Sequence, residues 1–425
     1  MTHTPQEHTP DFTPSPEYLA REKRVRDALE LRQPDRIPIL MGLGYLTAEM
    51  GGITRQELYE NPDKAQEIFE CLAQYFRPDM IFGLFGDPQA SKVLGDRMTK
   101  WPGYGLGPNG SFQFDEKEFM KTEDYDALLE DPSDYAVRTY LPRAFSKLEG
   151  LSMLPPLGMS LFGYYNTLNL SVLSAPPLVA AIDALQKASQ AVSSAGARAA
   201  ESSRRMARLG FPPPIFMAGC LVEAPFDFMS DTLRGMRGIF LDMLRIPDKL
   251  LAAEEKVKRF MLKHAAATVR ASGIAYAGIP LHRGSDGFMS LKQFETFYWP
   301  QLKDLMLQLI DAGITPWCFY EGIWDQRLEY LLELPKGKTF GFFQSSDIFK
   351  VKEVLGDTMC IFGGMPISML TGGNETQIRE HTHELCERVG RGGGYIMTTG
   401  VLELEGCKPE LIKTWVDAAR EYGAY

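Results

Sequence analysis

The chain has 425 residues, 44% of them apolar and 24% charged, with a formal net charge of −10. That length holds one large α/β domain or two to three smaller ones, and the composition is that of an ordinary soluble globular enzyme. The negative balance excludes a nucleic-acid binder and a polybasic membrane protein. Six cysteines without a CxxC pair or a regular spacing fit the reduced thiols of a cytoplasmic protein. The first residues, MTHTPQEHTPDFTPSPEY, lack the basic flank and apolar run of a signal peptide, and residues 1–20 read as a flexible arm. No run reaches the roughly 18 consecutive apolar residues that a membrane helix needs.

From residue 21 the core signal is a series of short β-type runs, most of them followed by a helical pattern. They are RIPIL (36–40), MIFGL (80–84), PIFMAG (214–219), IAYAGIPL (274–281), ITPWCFYE (314–321), TFGFF (339–343), MCIFGG (359–364) and GYIMTTG (394–400). The legible helices include NPDKAQEIFECLAQYF, IPDKLLAAEEKVKRFMLKHAAATVRASG, SLKQFETFYWPQLKDLMLQLIDAG, NETQIREHTHELCERVGRGG and the terminal KPELIKTWVDAAREYG. Eight apolar strands alternating with amphipathic helices predict a closed (β/α)8 barrel over residues 21–425. An open doubly wound sheet is the alternative. Residues 85–210 are too long for a loop, lack a complete core pattern of their own, and are expected to form an inserted lid over the barrel mouth.

Barrel chemistry gathers where the strands end. The polar residues there are Asp87 after the second run, Glu223 and Asp227 after the third, and His282, Arg283 and Asp286 after the fourth. Glu321 ends the fifth, Gln344, Ser345 and Asp347 follow the sixth, and Glu403, Glu405 and Cys407 follow the last. Glu321 sits in PWCFYEGIW, a stretch otherwise without charge, where a carboxylate needs a partner. Strand alternation points it inward together with Trp317 and Phe319, leaving Cys318 and Tyr320 to the helix layer. His282, Glu321 and Cys407 offer the N, O and S donors of a three-ligand catalytic zinc site. Cys407 lies beside Lys408 and just ahead of a helix beginning at Pro409, a position that lowers a thiol pKa. An ion pair of Glu321 with Arg283 or Arg327 is the alternative. His381, His383 and His264 read as surface or structural residues.

The chain resembles the uroporphyrinogen decarboxylase superfamily, which includes the cobamide-dependent methyltransferases. The likeness rests on RVRDALELRQPDRIPI, GFMSLKQFETFYWPQLKDLM, KVKEVLGDTMCIFGGMP and GRGGGYIMTTG. It implies a (β/α)8 barrel. The decarboxylases of the family hold a polycarboxylate with an arginine-rich first loop, whereas the matching loop here, MGLGYLTAEMGG, has no cation. The thiol-methylating branch binds zinc through an HxCG motif and a late cysteine. Here Phe319 and Glu321 stand at the His and Cys positions, and Val401 stands at the late cysteine.

The resemblance therefore implies an enzyme that moves a methyl group from a methoxylated or related small molecule to the cobalt of a corrinoid (cobalamin) on a partner protein, with zinc at His282, Glu321 and Cys407. Uroporphyrinogen decarboxylation and methylcobamide:thiol methyl transfer are the alternatives. Glu321, His282 and Glu223 are the catalytic candidates, and Asp87, Tyr164, Phe226 and Gln344 the substrate-binding ones. Phe162, Tyr165 and Phe228 join Tyr164 and Phe226 as candidates for an aromatic donor pocket. A homodimer is left open, and no nucleic-acid or membrane partner is expected.

Overall fold

The computed structural model of the protein describes residues 12–84, 86–162, 167–401 and 403–425, with backbone alone within 160–170. Eight parallel strands build the barrel. β1 (Leu40–Gly42) pairs with β2 (Met80–Phe82), and a separate ladder runs in sequence order through six later strands. A small sheet of β3 (Thr99–Pro102), β4 (Gly105–Leu106) and β5 (Gln113–Phe114) lies in the insertion. The barrel continues with β6 (Cys220–Leu221), β7 (Tyr276–Leu281), β8 (Thr315–Tyr320), β9 (Phe340–Phe343), β10 (Cys360–Met365) and β11 (Tyr395–Thr399). A parallel bridge from Ile39 to Met397 joins β1 to β11, so the two ladders form one continuous run of eight strands from β2 to β6. Between β2 and β6 no ladder forms among the described residues. The chain is a (β/α)8 barrel with a large insertion after its second barrel strand.

Seven of the eight expected runs carry a strand within a few residues of the sequence reading. PIFMAG is the exception. Residues 215–218 form a 3-10 turn, and the strand shrinks to two residues, Cys220–Leu221. The cause is local: Pro212, Pro213 and Pro214 precede it, and three prolines fix φ and remove the ladder donors. The turn is not wasted as packing. Phe216 enters the barrel interior, its ring 5.3 Å from Phe340 and 5.8 Å from Phe362, and its carbonyl accepts the Trp317 indole N–H at 3.0 Å.

The alternation along β8 is as the sequence predicts. Trp317 and Phe319 belong to the interior cluster with Phe340, Phe342 and Phe362. Cys318 and Tyr320 belong to the layer between strands and helices. Burial pushes the Cys318 thiol up to about 12, so it is an inert core group.

Outside the strands, the N-terminal helix Pro16–Leu29 starts ahead of residue 21, capped by the Ser15 hydroxyl. Its Arg24, together with Arg36, grips the fully buried Asp79, whose carboxylate also accepts the Ile39 N–H at 2.9 Å. That knot fastens the first helix and β1 to the start of β2. Asp347, a rim residue by sequence, caps the helix Ile348–Leu355 by accepting from the Phe349 and Lys350 N–H groups. Asp347→Ala is expected to cost about 1 kcal/mol of unfolding free energy, the usual worth of an N-cap, measured by chemical denaturation.

The insertion holds a small apolar cluster, in which Leu148 and Leu151 pack against Leu178, Ala181 and Ala184 of the 33-residue helix Pro176–Arg208. Small residues on that helix face bring the two segments close. A strap over residues 115–122 binds the insertion to the barrel, where Arg234 donates to Glu118 at 2.6 Å and the Met120 N–H to the Leu233 carbonyl at 2.8 Å. Among the described residues no helix is long and apolar enough to cross a membrane.

Candidate active site

Glu321 ends β8 and its main chain is bolted on three sides. Its N–H donates to the Leu281 carbonyl at 3.2 Å, its carbonyl accepts the Trp324 indole at 2.9 Å, and Gln344 accepts the next N–H, that of Gly322, at 2.7 Å. Gly322 has φ +73 and a Cβ there would meet the Ser285 side chain at 3.1 Å, so glycine is what lets the chain turn directly after Glu321. The Glu321 carboxylate is 38% exposed and stands 3.3 Å from Nε2 of His282. Neither arginine considered as its partner is free: Arg283 holds Asp231 and Glu116, and Arg327 holds Asp286.

His282 lies just after β7. Its other ring nitrogen, Nδ1, meets the Asp231 carboxylate, so the imidazole sits in a row between two carboxylates. Burial disfavours charge on the ring, but the hydrogen bonds to Asp231 and Glu321 outweigh it and push the His282 pKa up to about 11. That environment favours the protonated ring. Asp231 is held low despite its own burial, because His282 and Arg283 both bond to it.

Beneath this row is a layer of buried acids. Asp227 is fully buried and accepts three hydrogen bonds: from the N–H of His282 at 2.9 Å, from the N–H of Arg283 at 3.0 Å, and from the Tyr298 hydroxyl at 2.6 Å. Burial and the Asp231 charge push its pKa up. Glu223 is pushed up to about 7 by burial and by Asp231 and Asp227, and its Oε2 has no partner among the described residues. Glu254, on the helix Pro247–Ser272, is buried with both carboxylate oxygens unpartnered among the described residues, and burial with the nearby Asp227 raises it well above the ordinary carboxylate range.

The local chain geometry that aims these groups is unusual. Asp231 lies in a π-helical turn, Phe228–Arg234, and Tyr298 ends another, Phe294–Tyr298. The second precedes Trp299–Pro300; a proline inside a helix withholds an N–H, and widening the turn accommodates it.

Beside Glu223 opens a cavity of about 210 Å³, walled by Leu221, Val222, Phe228, Phe260 and Met261, with exposed His264 at its edge.

The expected zinc set does not assemble. His282 and Glu321 meet, but among the described residues no three His, Cys, Asp or Glu side chains are arranged to hold a metal ion. Both ring nitrogens of His282 face carboxylates. Cys407 is buried in the core cluster, and burial together with the Glu49 charge pushes its thiol up to about 12, the reverse of the predicted lowering. Its helix does begin at Pro409. The main reason for the reversal is burial of the thiol in the core; the Glu49 carboxylate, which accepts the neighbouring Gly406 N–H at 3.0 Å, adds an anion near the sulfur. The residues present do not fit a three-ligand zinc centre.

Of the substrate-binding candidates, Gln344 positions the Glu321 loop as described. Asp87 caps the helix Pro88–Leu94 through the Gln89 N–H and pairs with Arg198 of the long insertion helix at 2.6 Å. Phe226 is buried in the core, its ring 5.8 Å from Tyr298, while Phe228 reaches the cavity wall. Tyr164 and Tyr165, and the side chain of Phe162, lie outside the described residues. His381 is not a surface residue as expected: its Nε2 meets the Gly364 carbonyl at 2.8 Å. His383 is exposed.

Sequence reading missed Asp231, Tyr298 and Glu254. A signal for Asp231 exists in PFDFMSD, where Asp227 and Asp231 stand at i, i+4 and so share one helix face. Glu254 and Tyr298 carry none, since each lies in an amphipathic helix with many polar positions.

Several comparisons bear on this geometry. No curated protein sequence matches the chain. A solved structure titled "methyltransferase from Methanosarcina mazei" superposes with a TM-score of 0.59 over 95% of this chain and 98% of its own, at 14% identity, a likeness of fold. The family described as uroporphyrinogen decarboxylase (URO-D) matches residues 153–422, more than half of the chain. The protein belongs to the uroporphyrinogen decarboxylase family.

Proposed function

We propose that the protein is a methyltransferase that takes a methyl group from a methoxylated or related small molecule and passes it to the cobalt of a corrinoid carried by a partner protein. The observation that carries this reading is His282, held between Asp231 and Glu321 so that its pKa is pushed up, close to Glu223, beside which an apolar cavity opens. An ether is a poor leaving group unless its oxygen gains a proton or a cation as the C–O bond breaks, and a fixed acid supplies that proton. The methyl carbon passes to the electron pair of reduced cobalt, the C–O pair stays on oxygen, and His282 protonates that oxygen. His282 then regains a proton from solvent by way of half-exposed Glu321.

The cavity suits a donor of one ring. Its volume of about 210 Å³ exceeds the roughly 150 Å³ that accommodates benzene in a protein core. The unpartnered Oε2 of Glu223 gives a donor hydroxyl something to bond. The methyltransferase that shares the fold supports the reaction class. The first loop supports it over decarboxylation, because residues 41–48 are buried and without cations. The arginine that approaches the loop, Arg55, stacks on Tyr45 and pairs with Glu49 and Glu405. The insertion over residues 85–210 serves as the lid, anchored at the site by Arg283 and Glu116, 2.6 Å apart. Six free cysteines accord with work in the reducing cytoplasm.

Incubation with free cob(I)alamin and a methoxylated arene tests the proposal, with methylcobalamin and the free phenol expected in equal amounts. Incubation with uroporphyrinogen is expected to yield no coproporphyrinogen; its appearance would assign the chain to the decarboxylase reading instead. Glu321→Gln removes one of the two carboxylates that hold the His282 proton. The alkaline limb of its kcat/KM–pH profile is expected to move down towards neutral pH. An unmoved limb would separate Glu321 from the acid.

A further inference from the structure

A second cavity, of about 230 Å³, opens at the opposite end of the barrel, where β9, β10 and β11 begin. Lys336, Lys352 and Arg391 line it, opposed by Glu353 and Asp357, for a balance of one positive charge. Lys336 and Arg391 are exposed, and neither has an ion pair or side-chain hydrogen bond among the described residues. Lys352 is the fixed member: its Nζ donates to the Gly393 carbonyl at 2.8 Å and so ties the helix Ile348–Leu355 to the loop ahead of β11.

That loop is the second observation. Gly392, Gly393 and Gly394 have φ values of +81, +84 and +64 in succession, a conformation that side chains other than hydrogen resist. Gly393 donates to Gly390, but the N–H groups of Gly392 and Gly394 have no protein acceptor among the described residues, although Gly394 is buried. Both glycines line the cavity. A buried N–H without an acceptor is costly, and successive main-chain N–H groups in such turns form concave anion seats. Leu31, one of two non-glycine residues with positive φ among the described residues, lines the same space, and backbone held in such a region is found where a ligand is clamped.

We propose that this cavity binds a tetrahedral oxyanion of the phosphate class, free or as the terminal group of a phosphorylated metabolite, seated on the Gly392–Gly394 loop between Lys336 and Arg391. It is a site separate from the methyl-transfer chemistry and stands or falls without it. Bound there, the anion would cross-link the loops ahead of β9, β10 and β11.

Thermal unfolding of the whole protein tests this, with sodium phosphate or glycerol 2-phosphate titrated against sodium chloride at matched ionic strength. A saturable rise in Tm is expected, half-complete at about 1 mM or below, since a ligand that binds only the folded state stabilises it by mass action. Lys336→Ala and Arg391→Ala are expected to weaken half-saturation about tenfold each while leaving the anion-free Tm in place, because charge-assisted bonds to the ligand are lost and no protein contact is. Saturation by phosphate alone identifies the free ion, and tighter saturation by the ester identifies a metabolite; either supports the site. A rise no greater than in chloride, or an equal rise in both variants, overturns it.

Discussion

His282→Gln is expected to lower kcat for methyl transfer by about 10² to 10⁴, the range over which a positioned acid contributes to catalysis, with little change in KM. The substitution removes the proton and leaves the frame. Asp227 still accepts the main-chain N–H groups of residues 282 and 283, and Asp231 still holds Arg283. The check is steady-state kinetics of the variant beside its circular dichroism and Tm. A fall in kcat accompanied by unfolding would show a structural residue instead.

The same pair of carboxylates makes stability depend on pH. In the unfolded chain a histidine has its ordinary pKa of 6.5, and in the folded chain His282 is pushed up to about 11. Between those values the folded state binds the extra proton, so stability falls as pH rises. The contribution is complete below pH 6.5 and is lost as pH climbs through about 11. Solvent reaches the half-exposed Glu321 side of the row and screens part of it. Wild type and His282→Gln compared by denaturation across that window should converge towards its alkaline end.

Asp227→Ala is expected to cost about 3 to 6 kcal/mol of stability and all methyl transfer. Asp227 is the point where three elements meet. Its carboxylate, at the end of the β6 loop, receives the start of the β7 loop through two main-chain N–H groups and the helix Trp299–Asp311 through the preceding Tyr298 hydroxyl. Alanine would leave three buried donors without acceptors, each at about 1–3 kcal/mol, and would free His282 to move. Asp227→Asn keeps the volume and one acceptor oxygen and should lose less than half as much. Urea denaturation of both variants separates the two, and equal losses would point to packing as the cause.

Much of the barrel is legible in the sequence because burial on both faces of a parallel sheet writes continuous apolar runs. RIPIL, IAYAGIPL and ITPWCFYE are such runs. PIFMAG has the same composition yet is mostly a turn, and the deciding signal is the preceding Pro212–Pro214 rather than hydropathy. The pair of His282 and Glu321 was legible for the same reason that the barrel was, since both stand directly after strands that are neighbours in the ladder. Cys407 was misread because proximity along the chain to Lys408 and a helix start says nothing about which way the thiol faces. In the folded chain it faces the core. Tyr298 ends a helical turn locally widened to the π form, a shift that moves side chains off the 3.6-residue period used to read faces.

The measurement that tests the account most directly is methyl transfer by protein treated with a metal chelator. The enzyme, free cob(I)alamin and a panel of methoxylated arenes are followed for methylcobalamin and released phenol, before and after chelation and after zinc is restored. The account predicts stoichiometric methylcobalamin and phenol at a rate that chelation leaves unchanged and His282→Gln lowers by about 10² to 10⁴. Methyl transfer that stops on chelation and returns with zinc would contradict His282 as the acid, and no methylcobalamin with any donor would contradict the function itself.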